Sequence, residues 1–112
     1  MFGDAKEFDN DAELLRFASD SVKIPGAYLE FGVCTGTTIN FLAALNPKKT
    51  IYGFDSFEGI PERWVNGSDV YKAYSFAYDK KHLEGNIIPL YTLRNVIVYK
   101  GWFSHTLPLF KE

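Results

Sequence analysis

Polar and apolar residues along the chain first follow the period of an amphipathic helix. After Asn10, apolar residues recur every four positions at Leu14, Ala18 and Val22, which is the spacing of one helix face. Asn10 and Glu13 have the separation of a capping box, in which each side chain satisfies a free main-chain amide. A Pro-Gly pair ends this segment. We therefore predict an N-terminal helix that packs on a sheet.

Three short apolar runs predict buried strands. They cover residues 27–32, 50–55 and 96–99. A glycine-containing turn over 33–37 and a helix-like segment over 38–45 separate the first two runs. Strand, turn, helix and strand within about thirty residues form a βαβ unit, which requires a parallel sheet and a right-handed crossover. The predicted fold class is therefore α/β.

The signals between the second and third strands are less regular. Residues 56–63 have the composition of a loop, and Asn-Gly-Ser at 66–68 is a turn signal. The Tyr-rich stretch 70–83 predicts a helix, whereas 87–94 fits either a strand or an extended loop. Beyond the third strand, Thr-Leu-Pro at 106–108 predicts a helix start, because proline is tolerated in a first turn.

Composition narrows the class of protein. The 112 residues, 46% of them hydrophobic, allow one small domain with a packed core. A net charge of −2 argues against a nucleic-acid partner, and a single cysteine excludes an internal disulfide framework. No apolar run approaches the ~18 residues of a membrane span, and the N-terminus has no signal-peptide core. We expect a cytoplasmic protein with no membrane partner.

The chemistry-bearing feature is a glycine turn followed by an acidic strand end. Gly32 and Gly36 bracket the turn between the first strand and the second helix, where a ligand can approach the backbone. Asp55 ends the next strand about twenty residues later, as in sites where an acid accepts the hydroxyls of a ribose. This arrangement predicts a nucleoside site.

The residues around the turn favour one class of nucleoside. Glu30 precedes the turn, and Cys34 occupies the place of the middle glycine of dinucleotide-binding motifs. A carboxylate there would repel a pyrophosphate but suits a ligand with a cationic amino-acid end. S-adenosylmethionine has an ammonium, a sulfonium and a ribose but no phosphate. We therefore favour it over NAD, and a nicotinamide-dependent reductase stays open as an alternative.

Three sequence blocks resemble the macrocin O-methyltransferase (TylF-type) family of class I S-adenosylmethionine-dependent methyltransferases. The blocks are Leu-Glu-Phe-Gly-Val with Gly36 at 29–36, Tyr-Gly-Phe-Asp-Ser-Phe-Glu-Gly-Ile-Pro-Glu at 52–62, and Lys-Gly-Trp-Phe with Thr-Leu-Pro at 100–108. Their order and approximate spacing fit the family. The resemblance implies a Rossmann-like parallel sheet with flanking helices.

The resemblance also implies cofactor-binding positions. The turn positions would contact the methionine end, Asp55 would bind the ribose hydroxyls, and the remaining positions would border the adenine. The matching positions are Glu30, Gly32, Val33, Cys34, Thr35, Gly36, Asp55, Ser56, Phe57, Gly101 and Trp102.

Each of these positions has a structural alternative. The glycines could serve only a tight turn, and Asp55 could cap a loop. Glu30 could pair with a lysine, and Cys34 could be a small buried filler.

The resemblance implies methyl transfer from the sulfonium to a hydroxyl of a small molecule or sugar. Family members hold a divalent ion, usually Mg²⁺, on aspartates beyond the third strand. Those positions have no counterpart in this sequence, so Mg²⁺ would belong to a full-length enzyme and no catalytic residue is assigned. We expect residues 1–112 to form one S-adenosylmethionine-binding domain that is truncated after the third strand.

Two hypotheses of different classes follow. The chain is the cofactor-binding half of an O-methyltransferase, or it is a non-catalytic module that binds a nucleoside or self-associates. In a doubly wound sheet the first strand lies centrally. Truncation would leave its far edge unpaired, which predicts a homo-oligomer formed through that edge.

Overall fold

A computed structural model of the protein describes residues 3–60, 62–66, 69–71 and 91–111. Within these ranges, one sheet has three strands in the order β1-β2-β5, and β3 and β4 form a separate pair. The helices and strands in chain order are α1 (Asp11–Asp20), β1 (Tyr28–Phe31), α2 (Thr37–Leu45), β2 (Ile51–Asp55), β3 (Trp64–Asn66), β4 (Asp69–Tyr71), β5 (Val96–Lys100) and α3 (Phe103–Lys111).

The main sheet is parallel throughout. β1 aligns Tyr28 with Ile51 of β2, and β2 aligns Ile51 with Val96 of β5. The carboxyl ends of all three strands therefore lie along one edge, where ligands bind in open α/β sheets. The predicted α/β fold with a parallel sheet is confirmed.

One face of the sheet forms the core with α2. Ile51 and Val96 from the strands pack with Ile39 and Ala43 from α2 and with Val33 from the turn. Ile39 is fully buried and Val33 is 4% exposed. The turn that precedes α2 is thus fixed by a core side chain, which restricts its movement.

The opposite face carries aromatic rings covered by α3. Phe54 is fully buried. The ring of Phe110 on α3 lies 4.9 Å from that of Tyr52, 5.4 Å from that of Phe54 and 5.9 Å from that of Tyr99, measured between centroids. The edge-to-face geometry of these pairs is favourable for aromatic rings. α3 is therefore held against β2 and β5.

A single amide side chain ties the end of α2 to the start of β5. Nδ2 of Asn95 donates to the main-chain carbonyls of Ala43, Asn46 and Lys49 at 3.1, 3.0 and 2.9 Å. Carbonyls at a helix C-terminus lack partners within the helix. Asn95 supplies those partners from a distant part of the sequence.

A second asparagine fixes the same segment from the side of α2. Nδ2 of Asn40 donates to the carbonyl of Tyr91 at 2.7 Å, and its Oδ1 accepts the N–H of Leu93 at 2.9 Å. The asparagine amide provides both a donor and an acceptor, so one side chain matches both main-chain groups. The approach to β5 is thus held at two points.

One sequence-based expectation is wrong in the middle of the chain, and one strand was not predicted. Val70 and Tyr71 belong to strand β4, not to a helix. Its antiparallel partner Trp64–Asn66 lies between the predicted loop at 56–63 and the turn signal at 66–68, where no strand was predicted. Three-residue strands are too short to give a clear alternation of polar and apolar positions. The rest of the predicted 70–83 helix lies outside the described residues.

The two outer helices also differ from expectation. α1 is capped by Asn10, whose Oδ1 accepts the N–H of Glu13 at 2.8 Å, as predicted. Its main contacts are with α2, however, and none of its residues is buried. α3 begins at Phe103, not Thr106, so Pro108 lies beyond its first turn.

Gly53 is required by the packing of α2 on the sheet. A β-carbon at Gly53 would lie 2.6 Å from Cδ1 of Ile39 and 2.6 Å from Cγ2 of Val33. We predict that Gly53→Ala lowers the free energy of unfolding by about 1–3 kcal/mol, because an overpacked core must shift to relieve the contact. Urea denaturation measures this. Gly3→Ala is the control, since its β-carbon meets no atom within 4 Å; equal stability of the two variants would contradict the packing.

Candidate functional site

A cavity of about 250 Å³ opens where the turn after β1, the end of β2 and the start of α3 meet. Its volume is close to the lower end of small-molecule pockets, roughly 300 Å³. It lies at the carboxyl edge of the parallel sheet. The lining residues are Gly32, Cys34, Asp55, Ser56, Gly59, Ile60, Gly101, Trp102 and Phe103.

The carboxylate of Asp55 joins the two loops that border this cavity. Its Oδ2 accepts the main-chain N–H groups of Val33 and Cys34 at 2.8 and 2.7 Å. Its Oδ1 accepts the N–H of Phe57 at 2.8 Å. Hydrogen bonds to an ionised acceptor are stronger than neutral ones. Asp55 therefore lines the cavity and also caps the turn, so the structural alternative for this residue holds in this structure.

The amides of the glycine turn are largely occupied within the protein. Besides Val33 and Cys34, the N–H of Gly32 donates to the carbonyl of Phe54 at 2.8 Å, and that of Gly36 donates to the carbonyl of Val33 at 2.9 Å. Sites for phosphate on such turns use these amides as donors to the anion. Four donors of the turn are thus already committed to protein acceptors.

Glu30 lies half-buried on β1, one residue before the strand ends. Its Oε2 is buried and has no hydrogen-bond partner within the described part of the chain. Burial, and secondly the negative charge of Asp55, raise the pKa of Glu30 from 4.5 to about 7. The lysine pairing considered from sequence is therefore not seen at this oxygen. A buried carboxyl oxygen without a partner favours a cationic or hydrogen-bond-donating ligand.

The backbone at the site adopts conformations that non-glycine residues rarely take. Cys34 has φ of 51° and Phe57 has φ of 62°, both in the left-handed region. The amides of both residues donate to Asp55. The side chain of Cys34 is exposed, so its alternative role as a buried filler is wrong. Such strained residues are concentrated at functional sites, where surrounding contacts hold them in place.

The other predicted residues divide into two groups. Gly32, Cys34, Asp55, Ser56, Gly101 and Trp102 line the cavity. The remaining predicted positions are not among its lining residues, although the amides of Val33 and Phe57 bind the carboxylate of Asp55, which lines it. These remaining positions are Glu30, Val33, Thr35, Gly36 and Phe57.

Three lining residues were not predicted from the sequence. Gly59 and Ile60 follow Ser56 within the second sequence block, and Phe103 follows Trp102. Position within a motif block was the available signal, but it does not show which side chains turn inward. The ring of Phe103 meets that of Phe31 edge-on, with 5.5 Å between centroids, which fixes the start of α3 beside the cavity.

Two further properties concern metals and membranes. In the described ranges, no three His, Cys, Asp or Glu side chains group closely enough to hold a metal ion. The Mg²⁺ ion that the resemblance implies therefore has no ligand group among these described residues. None of the helices in the described ranges is long and apolar enough to cross a membrane.

The raised pKa of Glu30 predicts a stability that depends on pH. The folded state holds the proton more tightly than the unfolded state, whose Glu pKa is near 4.5. Stability is therefore lost as pH rises from about 4.5 to 7. For a fully buried carboxyl, this pKa difference would lower the free energy of unfolding by roughly 3 kcal/mol. Because Glu30 is partly exposed, solvent screening reduces the loss to about 1–2 kcal/mol.

We predict that Glu30→Gln removes this loss. The free energy of unfolding of the variant should equal that of the wild type near pH 4.5 and exceed it by about 1–2 kcal/mol at pH 8. Urea denaturation at both pH values measures this. Glu7→Gln, at an exposed position, is the control and should follow the wild type at both pH values. Parallel pH profiles for the wild type and Glu30→Gln would show that Glu30 titrates normally.

Comparison with known proteins supports a methyltransferase fold. No family model matches the chain, and no curated protein matches it. Among solved structures, it is similar to CalS11, a calicheamicin methyltransferase, with a TM-score of 0.55 and 25% sequence identity. The match covers 88% of this chain but 45% of that one. The chain thus has the Rossmann-like fold of a methyltransferase over less than half the length of its structural neighbour, and membership of the macrocin family stays a prediction.

Proposed function

We propose that the chain is the S-adenosylmethionine-binding part of a methyltransferase. The observation that carries this proposal is the commitment of the turn amides at Gly32, Val33, Cys34 and Gly36 to protein acceptors. A dinucleotide would need such donors for its pyrophosphate. With the carboxyls of Glu30 and Asp55 close by, the site favours a nucleoside that is cationic and lacks phosphate.

The residues around the cavity fit the parts of this cofactor. Glu30 is not among the lining residues, but its buried Oε2, which has no partner within the described residues, suits the cationic methionine end. Asp55 borders the cavity where a ribose would lie. Trp102 and Ile60 offer aromatic and apolar surface for the adenine. When bound, S-adenosylmethionine supplies a methyl group on a sulfonium, which is an electrophile. The role of these residues is to bind and orient it.

The acceptor we propose is a hydroxyl of a small molecule or sugar. The resemblance to macrocin O-methyltransferases supports oxygen as the acceptor atom. The structural neighbour is named as a methyltransferase of calicheamicin, which supports a small-molecule acceptor rather than a macromolecule. We place the protein in the cytoplasm, where S-adenosylmethionine is made and used.

Calorimetric titration separates this function from that of a nicotinamide-dependent reductase. We predict that S-adenosylhomocysteine binds the full chain and that NADH does not, because four amides of the turn that could bind its pyrophosphate already donate to protein acceptors. Binding of NADH alone would overturn the proposal. Asp55→Ala is a poor diagnostic variant, because it also removes three hydrogen bonds that hold the loops.

Trp102→Ala is the sharper variant for the same titration. Loss of its ring should lower the affinity for S-adenosylhomocysteine by about tenfold, since stacking of a base on an aromatic side chain contributes about 1–3 kcal/mol to binding. Tyr91→Ala is the matched control, because its side chain is 78% exposed and its contact with Asn40 uses only the main chain. Equal affinities of the two variants would remove Trp102 from the adenine site.

Self-association is the second candidate function, and the free edge of β1 favours it. Within the described residues, β1 pairs with β2 alone, and its Leu29 and Phe31 are 40% and 53% exposed. An exposed apolar strand edge can pair with a second chain.

Sedimentation velocity tests this second candidate. We predict that the wild type forms dimers at micromolar concentration and that Leu29→Lys shifts it to monomer, because a charge at an edge strand opposes pairing. Val65→Lys, at a position 52% exposed on β3, is the matched control and should leave the dimer intact. A monomeric wild type at all concentrations would exclude this function.

A further inference from the structure

The acceptor capacity of the Asp55 carboxylate is limited by the protein itself. A carboxylate has about four lone-pair positions, two on each oxygen. Val33 and Cys34 occupy both positions on Oδ2, and Phe57 occupies one on Oδ1. Among the residues that the structure describes, no other donor is bound to Oδ1, so one position on this oxygen remains for a ligand in the cavity.

The turn cannot easily release Oδ2 to make room for a second ligand group. The side chain of Val33 is packed in the core at 4% exposure, so its main chain has little freedom to move away. Displacing the amide of Val33 would leave a part-buried donor without a partner, which is unfavourable. The amide of Cys34 is exposed, but it belongs to a residue at a positive φ directly after Val33, so the two amides remain adjacent.

We infer that Asp55 accepts only one of the two ribose hydroxyls, through Oδ1, and acts through Oδ2 as the positioning residue of the turn. This inference rests on the proposed function. An acid that receives both hydroxyls would make the 2′- and 3′-positions equally important. Here one hydroxyl bonds to a carboxylate oxygen, while the other meets neutral groups or water. The site should therefore distinguish the two positions.

The test compares S-adenosylhomocysteine with its 2′-deoxy and 3′-deoxy forms by calorimetry on the full chain. A hydrogen bond to a charged group contributes enough that one analogue should bind at least about tenfold more weakly. The other should stay within about threefold of the parent. A second measurement follows amide hydrogen exchange at Val33 and Cys34, which should stay protected when S-adenosylhomocysteine is bound.

The outcomes are distinct. Unequal losses of affinity for the two deoxy analogues, together with retained protection of the Val33 and Cys34 amides from exchange, support the inference. Equal losses of tenfold or more, with faster exchange at Val33 and Cys34, would show that the ribose displaces the amides and would overturn it while leaving the proposed function intact. If both analogues bind as tightly as the parent, the inference is also overturned, because Asp55 would then receive no hydroxyl. Failure of S-adenosylhomocysteine itself to bind would overturn both.

Discussion

Three main-chain amides converge on the carboxylate of Asp55, and the geometry of the site depends on this contact. Two of the amides come from the turn after β1 and one from the loop after β2. The main chain of Asp55 adds a third connection, because its carbonyl accepts the N–H of Gly101 at 2.9 Å. One residue therefore links the three segments that end the parallel strands. All three segments line the cavity, so the contacts of Asp55 hold its walls together.

The absence of a side chain at Gly53 acts on the same geometry from within the core. It lets Ile39 of α2 and Val33 of the turn approach β2 closely. Val33 thus joins the core to the site: its side chain packs against the sheet and its N–H reaches Asp55. Core packing and hydrogen bonding thus specify the same position for the turn. Agreement between these two kinds of interaction favours a single well-defined structure.

The three strands and α2 could be predicted from sequence because each strand is a short apolar run, and the glycine turn and helix-like segment between the first two runs follow the order of a βαβ unit. The pairing of a glycine turn with Asp55 also located the cavity. The occupancy of Asp55 by amides could not be predicted, since no residue pattern reports where a carboxylate points. The strand Asp69–Tyr71 is too short to show an alternation of polar and apolar positions, although it pairs with the neighbouring Trp64–Asn66. The start of α3 at Phe103 coincides with the contact between Phe103 and Phe31, which is distant in sequence. Likewise, nothing in the sequence around Asn95 shows that it caps a helix fifty residues away.

Asn40 and Asn95 hold the start of β5 on α2 through contacts that begin at residue 91. Both asparagines fasten the approach to β5 onto α2, and Gly101 and Trp102 directly follow β5, so these contacts help to place two residues that line the cavity. Closing a longer connection would cost only about 0.6 kcal/mol for each doubling of its length. A connection of a different length before residue 91 would still lead into the same asparagine contacts, which hold β5 beside the cavity.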